Sequence, residues 1–210
     1  ESLEIGRGFE APGLETDGVF GVWSCRWSGD GGKLLCGTSD AAACVHDVVA
    51  DRTIVRHKAH DGDVNAVAWA NGGSTGDARV YYTGSDDCTV KAWDVRVGAG
   101  APIGVFIGHT EGVCHIDSRD DGRHLLSNGK DQTVRVWDLV SYKSSVCVAL
   151  GVGHTEAIGA VCFGKRPSTY NHRSSHTSAW LFTGSKDKTL KSWDLGAIIR
   201  SRKNVDGSLT

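Results

Sequence analysis

Methionine is missing from all 210 residues of this chain, which begins at Glu1. Both facts lead us to expect a segment of a longer protein. No apolar run reaches the length that a bilayer-spanning helix needs, and no signal peptide opens the sequence. Charge of one sign is also scarce. The 23 Lys and Arg against 25 Asp and Glu leave a net charge of −2, too small to mark a nucleic-acid or membrane surface. The seven cysteines, at 25, 36, 44, 88, 114, 147 and 162, form no Cys-x-x-Cys pair and leave one over. They are expected to be reduced, buried thiols of an intracellular protein, five of them in or beside strands.

What the chain does contain is a repeat. Three times a Gly-His or Ala-His pair is followed by an alternating apolar stretch, a Ser/Thr-Gly strand, an Asp turn and Trp-Asp. The runs extend from Ala59-His60 to Trp93-Asp94, from Gly108-His109 to Trp137-Asp138, and from Gly153-His154 to Trp193-Asp194. Their closing Asp residues stand 44 and 56 residues apart. The stretch Val64-Asn65-Ala66-Val67-Ala68-Trp69 alternates with a period of two, the mark of a strand with one buried face. Further strands are expected at Val80 to Thr83, Thr89 to Trp93 and Ile103 to Phe106, and the same order recurs in the later units. An earlier unit at Val22 to Val48 is degraded. Cys36 takes the Ser/Thr place, Asp40 the turn, and His46-Asp47 replaces Trp-Asp, with no His at the expected distance before it.

Two insertions, at residues 71–79 and 164–179, fall between first and second strands, which puts them on one face of an up-and-down assembly. The second carries Lys165, Arg166, His172, Arg173 and His176 and forms a basic loop. His172 and His176 have a ligand spacing for a helix, but Arg-Ser-Ser between them does not read as helical, so no metal site is expected. Gly-Arg-Gly at 6–8 lacks the strand-turn-helix setting of a phosphate loop. The tryptophans at 23, 27, 69, 93, 137, 180 and 193 are expected to be core rather than a base-stacking platform.

The repeat length, the His, Ser/Thr, Asp and Trp positions and the Trp-Asp endings resemble WD40 repeats. That resemblance implies an all-β propeller with about four blades in this chain, part of a seven-bladed ring. Residues 1–18 would be an entering arm or loop. Residues 19–210 would be the propeller segment, with blades at about 19–49, 60–97, 109–140 and 154–196. It also implies a structural hydrogen-bonded tetrad in each full repeat. The sets are His60, Thr83, Asp87 and Trp93; His109, Ser127, Asp131 and Trp137; and His154, Thr183, Asp187 and Trp193. A His-Asp-Ser combination invites a catalytic triad, but threefold recurrence at one station argues for structure. No catalytic residue, cofactor or metal is expected.

One ending differs from the others. Trp93-Asp94-Val95-Arg96 is Trp-Asp-x-Arg, whereas Val140 and Gly196 stand where the other repeats would place the arginine. The Trp-Asp-x-Arg ending resembles the box by which WD40 substrate receptors engage the adaptor of cullin-4 ubiquitin ligases. That likeness assigns Asp87, Trp93, Asp94 and Arg96 to partner binding, with Arg96 exposed and able to pair a partner carboxylate. From Gly21-Val-Trp-Ser to Ser141-Tyr-Lys the chain resembles the cullin-4-associated factors, which include the plant embryo-type WD proteins. The stretches that carry this are His60-Asp-Gly-Asp-Val-Asn-Ala-Val, Gly108-His-Thr-Glu-Gly-Val, Ile116-Asp-Ser-Arg and Ser127-Asn-Gly-Lys-Asp-Gln-Thr-Val. Val140 departs from that group, whose following blade often carries a second box arginine.

Residues 144–195 resemble a different WD protein, the tandem-propeller subunit of the small-subunit processome. Val146-Cys-Val-Ala, Gly153-His-Thr-Glu-Ala-Ile-Gly-Ala-Val and Thr183-Gly-Ser-Lys-Asp-Lys-Thr-Leu-Lys carry that likeness. The first resemblance implies a non-enzymatic substrate receptor of the nucleus or cytoplasm, whose partners are the cullin-4 adaptor and a ubiquitination substrate. The second implies a ribosome-assembly scaffold bound to processome subunits, meeting RNA only indirectly. Neither implies a membrane. Open blade edges lead us to expect poor solubility for the isolated segment.

Overall fold

The structure is a computed structural model that describes residues 21–70, 79–97, 100–119, 121–139, 146–164 and 180–195. The entering arm and the basic loop of the second insertion lie outside the described residues, as does most of the first insertion.

Among the described residues fifteen strands form four antiparallel sheets. The first sheet contains β1 (Val22–Trp27), β2 (Lys33–Thr38), β3 (Ala42–Asp47) and β4 (Arg52–Lys58) in chain order. The second contains β5 (Val64–Trp69), β6 (Val80–Ser85), β7 (Thr89–Asp94) and β8 (Gly104–Ile107). The third holds β9 (Val113–Ser118), β10 (His124–Gly129), β11 (Thr133–Asp138) and β12 (Val146–Val152), and the fourth β13 (Ile158–Phe163), β14 (Trp180–Ser185) and β15 (Leu190–Asp194). A 3-10 turn at Val95–Val97 follows β7. The first strands β1, β5, β9 and β13 lie against one another in succession, and each second strand packs on the first strand of the next sheet. This is the blade-after-blade arrangement of a β-propeller.

Register is the same in all four blades. Tyr81 pairs with Trp93, Leu125 with Trp137 and Leu181 with Trp193, and in the first blade Leu34 pairs with His46. The turn between second and third strands always places the residue after the Asp in the left-handed region. Ala41, Cys88, Gln132 and Lys188 have φ of 62°, 68°, 63° and 66°. The turn Asp makes that conformation tolerable. Asp87 Oδ1 accepts the Thr89 N–H at 3.0 Å, and Ser85 Oγ accepts the Asp87 N–H at 3.1 Å.

The core lies between blades rather than inside them. Tyr82, Val90, Ala92 and Phe106 of the second blade meet Val113, Ile116, Leu125 and Trp137 of the third. Burying a side chain of valine to phenylalanine size contributes about 1.5–3 kcal/mol, so each such interface is a major share of the stability. The approach is close enough to require glycine at Gly84, where a Cβ would stand 2.6 Å from Val113 Cγ1. The third blade has Asn128 at that station and uses it differently, donating its side-chain N–H to the carbonyl of Ile158 in the fourth blade.

Burial corrects two expectations. Trp69, Trp93 and Trp137 are buried, but Trp23, Trp27 and Trp180 are about half exposed. The first two lie on β1, which opens the first blade, and Trp180 lies on the outer face of the last one. Alternation predicts which face a residue occupies but not whether another blade covers it. Likewise Cys36 and Cys44 are buried, whereas Cys25 and Cys162 are exposed and Cys88, Cys114 and Cys147 are half-buried.

Candidate interaction face

The strand order gives each blade two ends. One carries the turns between second and third strands and the connections that enter each new blade. There His60 Nε2 and Thr83 Oγ1 are 2.7 Å apart, His60 Nδ1 and Asp87 Oδ2 2.8 Å, and Trp93 Nε1 donates to Thr83 Oγ1 at 2.9 Å. An indole N–H can only donate, so the hydroxyl accepts it and gives its own proton to the imidazole. The imidazole then carries its proton on Nδ1 and donates it to the carboxylate. The third blade repeats this with His109, Ser127, Asp131 and Trp137 at 2.8–2.9 Å. The fourth repeats it with His154, Thr183, Asp187 and Trp193 at 2.8–3.0 Å.

Burial sets the protonation states. Desolvation pushes the His60 imidazole down to about 4, against the pull of Asp87, so it is neutral near pH 7. Burial would raise Asp87, but hydrogen bonds from Thr89 and His60 outweigh it and hold the carboxyl below its ordinary value. Thr83, Ser127 and Thr183 have no exposed surface and spend their lone pairs on an indole. A nucleophile so enclosed meets no substrate, and the three sets cannot act as hydrolytic triads.

The first blade solves the same problem with other residues. Asp40 receives Arg56 Nη2 at 2.5 Å from β4 and the Thr38 hydroxyl at 2.5 Å. Burial would raise Asp40, and these donors keep it below its usual value. Arg56 takes the part that histidine plays elsewhere, and nothing in the repeat pattern pointed to it.

The opposite end carries the connections from first to second strands and from third to fourth. Arg96 lies here, 62% exposed, with its guanidinium forked onto Asp94. Nε reaches Oδ1 at 2.9 Å, Nη2 reaches Oδ2 at 2.5 Å, and the Arg96 backbone N–H reaches Oδ1 at 2.9 Å. The Arg96 fork holds the Asp94 carboxyl below its usual range, and the nearby Arg79 charge adds to it. Arg96 is thus exposed, and a carboxylate of its own blade fixes its direction. Asp138, the equivalent of Asp94, is met by Arg123 at 2.9 Å from the loop ahead of β10. The backbone confirms the equivalence, since Val95 N–H donates to Arg79 O and Leu139 N–H to Arg123 O, both at 2.7 Å.

The four residues assigned to partner binding do not share one surface. Asp87 precedes β7 and Asp94 ends it, so they sit at opposite ends of a six-residue strand, about 20 Å apart at the usual rise. Trp93 is buried. Only Asp94 and Arg96 stand together at an exposed edge. Among the described residues no group of three or more His, Cys, Asp or Glu is placed to hold a metal, and no helix is long and apolar enough to cross a membrane. His172 and His176 lie outside the described residues.

The family pattern of the WD domain, G-beta repeat, matches residues 52–94, 100–138 and 145–194, more than half of the chain. This chain belongs to the WD40 family. Each matched repeat starts with the outer strand of one blade and continues into the next, so every repeat laces two blades together. Strands β1 to β3, with Asp40, precede the first match, and Arg56 on β4 lies inside it. The chain is 45% identical over 128 residues to LEC14B protein of Lithospermum erythrorhizon, covering 60% of this chain and 26% of the relative. It is 47% identical over 124 residues to the DDB1- and CUL4-associated factor 11 homolog of Caenorhabditis briggsae, covering 56% and 21%. Transducin beta-like protein 3 of Bos taurus is 28% identical over 178 residues, covering 85% and 20%. Among solved structures, the crystal structure of the mitotic checkpoint complex contains a similar chain. It has a TM-score of 0.70 and 28% identity, over 87% of this chain and 52% of that one. The chain thus spans about a quarter of the length of the curated relatives it matches.

Proposed function

We propose that this WD40 chain is part of a non-enzymatic substrate receptor, and that it docks on the adaptor of a cullin-4 ubiquitin ligase through the blade end that carries Asp94 and Arg96. The observation behind this is the Arg96 fork: an exposed guanidinium held rigid on a carboxylate of its own blade. Preorganisation of that kind lowers the cost of ordering a long side chain on binding. Relatives whose name states association with DDB1 and CUL4 support the choice of adaptor. Asp87 and Trp93 keep a part only as tetrad members that hold β7, and hence Asp94, in register. The substrate would take another face, and the site of action would be the nucleus or cytoplasm.

Blades at about 19–49, 60–97, 109–140 and 154–196 are then members of a larger ring, with residues 1–18 as an entering arm. The competing reading is a scaffold in small-subunit processome assembly. The 85% coverage by transducin beta-like protein 3 is in its favour and the 28% identity is against it.

The test is affinity capture of the tagged full-length protein from cells, with and without Arg96→Ala. Recovery of DDB1, lost in the variant, is expected. Recovery of processome subunits indifferent to Arg96 would replace this reading by the competing one.

A further inference from the structure

We propose that the axial channel of the propeller holds a phosphate group, free or on a small molecule, between Arg26 of the first blade and His115 of the third. The inference goes beyond the adaptor reading and does not depend on it. Strands β1, β5 and β9 lie side by side, with β5 in the middle. Arg26 of β1 nevertheless reaches His115 of β9, with Nη2 2.9 Å from Nε2. In a ring of blades a contact that skips one neighbour runs along a chord, on the axial side of the strand it skips. Strand β5 leaves room for it by having alanine at both stations: Ala68 stands where Arg26 does, and Ala66 where His115 does. Arg26 is exposed and His115 half-buried. Side chains along the axis stay accessible however many blades complete the ring.

The partner of Arg26 sets it apart. Arg56, Arg96, Arg119 and Arg123 each meet an aspartate, whereas among the described residues no carboxylate pairs with Arg26. Its other hydrogen bond runs from Nη1 to the Cys25 carbonyl at 2.9 Å. A guanidinium only donates, so the imidazole accepts at Nε2 and is neutral, with its proton on Nδ1. Burial and the Arg26 charge both push His115 down. Asp117, next on the same face of β9, accepts the Phe163 N–H at 2.8 Å. The strands packed on β9 add Tyr81 and Tyr82 of β6, Cys162 of β13 and His124 of β10 as ionisable groups, and His124 already pairs with Asp121. The charge of Arg26 is therefore uncompensated. A proton taken from solvent by His115 turns Nε2 from acceptor to donor and places a second cation beside the first. Two such donors match the two charges and several acceptor oxygens of a phosphate group, whereas a carboxylate would need Arg26 alone.

The test is calorimetric titration of the full-length protein with inorganic phosphate, sulfate and acetate at constant ionic strength, with thermal melting as the control for folding. Sulfate has the shape and charge of the phosphate dianion and does not itself titrate near neutrality, so its pH dependence reports the protein. Wild type is expected to bind phosphate and sulfate, with sulfate affinity rising as pH falls from about 7.5 to about 6. Arg26→Gln is expected to bind sulfate at least about tenfold more weakly. His115→Gln, which cannot take up the proton, is expected to lose the pH dependence. Equal sulfate binding in Arg26→Gln and wild type, or no saturable binding by wild type at about pH 6, overturns the site. Acetate binding as tight as sulfate overturns the assignment to phosphate. None of these outcomes bears on the capture of DDB1, which tests the adaptor reading separately.

Discussion

The second and fourth blades carry the same hydrogen-bonded set and differ in what lies behind them. Thr83-Gly-Ser-Asp-Asp-Cys-Thr-Val and Thr183-Gly-Ser-Lys-Asp-Lys-Thr-Leu build the same turn, with tetrad distances that agree within about 0.1 Å. Yet Val90 is fully buried and its counterpart Leu190 is 76% exposed, while Tyr82 at 1% becomes Phe182 at 36%. The contrast extends to glycine. A Cβ on Gly84 would collide with the third blade, whereas one on Gly184 would meet nothing within 4 Å. The motif thus sets local geometry by hydrogen bonds, and burial is conferred by the neighbour. Among the described residues no blade follows the fourth.

The largest test of that division is a charge on the covered and uncovered face. Val90→Asp buries a carboxylate with no partner and is expected to cost about 4 kcal/mol or more, enough to unfold a marginal blade. Leu190→Asp is expected to stay within about 0.5 kcal/mol and to raise solubility. Urea titration of this chain measures both. Equal losses would mean that the fourth blade is covered in solution, by a second copy or by other residues of the chain.

A smaller effect comes from acid. His60 is held neutral down to about pH 4, while in the unfolded chain it takes a proton near 6.5. Between those values the unfolded state binds more protons, so stability falls as pH falls, by at most about 3 kcal/mol. Asp87, depressed in the folded state, adds a loss in the same direction at lower pH. Urea midpoints between pH 7 and 4.5 should decline in wild type and flatten in His60→Asn. A midpoint that rises on acidification would show the imidazole to be charged in the fold.

The first blade, which has no such histidine, sharpens the comparison from another side. Arg56→Ala strands Asp40 and is expected to cost about 2 kcal/mol, below the range for fully buried pairs because both side chains keep some exposure. The double variant Asp40→Ala/Arg56→Ala should cost less than the two single variants combined. Additivity would mean that the pair is not coupled and that Thr38 alone holds the turn.

These contrasts show which parts of the molecule were legible in the sequence. His60, Thr83, Asp87 and Trp93 could be placed because period, strand alternation and turn chemistry all point to one register. Arg56 could not, since it lies on an outer strand sixteen residues after Asp40 and recurs nowhere. Arg123 was hidden because it reaches Asp138 across a hairpin rather than by the two-residue step of Arg96. The exposure of Trp23, Trp27 and Leu190 depends on which blades exist beyond them, and no local pattern encodes that. The separation of Asp87 from Arg96 was available by counting along β7, because a strand of six residues divides one end of a blade from the other.

The smallest effect belongs to the turns, and there the second and fourth blades should agree. Cys88 and Lys188 hold φ of 68° and 66°, a conformation that side chains with a Cβ adopt at a cost. Glycine removes that cost but adds freedom to the unfolded chain, so Cys88→Gly and Lys188→Gly are each expected to gain no more than about 0.5 kcal/mol. Thermal melting of the two variants reads this directly. Because the strain belongs to the turn and not to the interface, the two gains should match despite the difference in cover. A gain at Lys188 without one at Cys88 would mean that neighbouring blades set even this dihedral, and that the turn is less autonomous than its recurrence in four blades suggests.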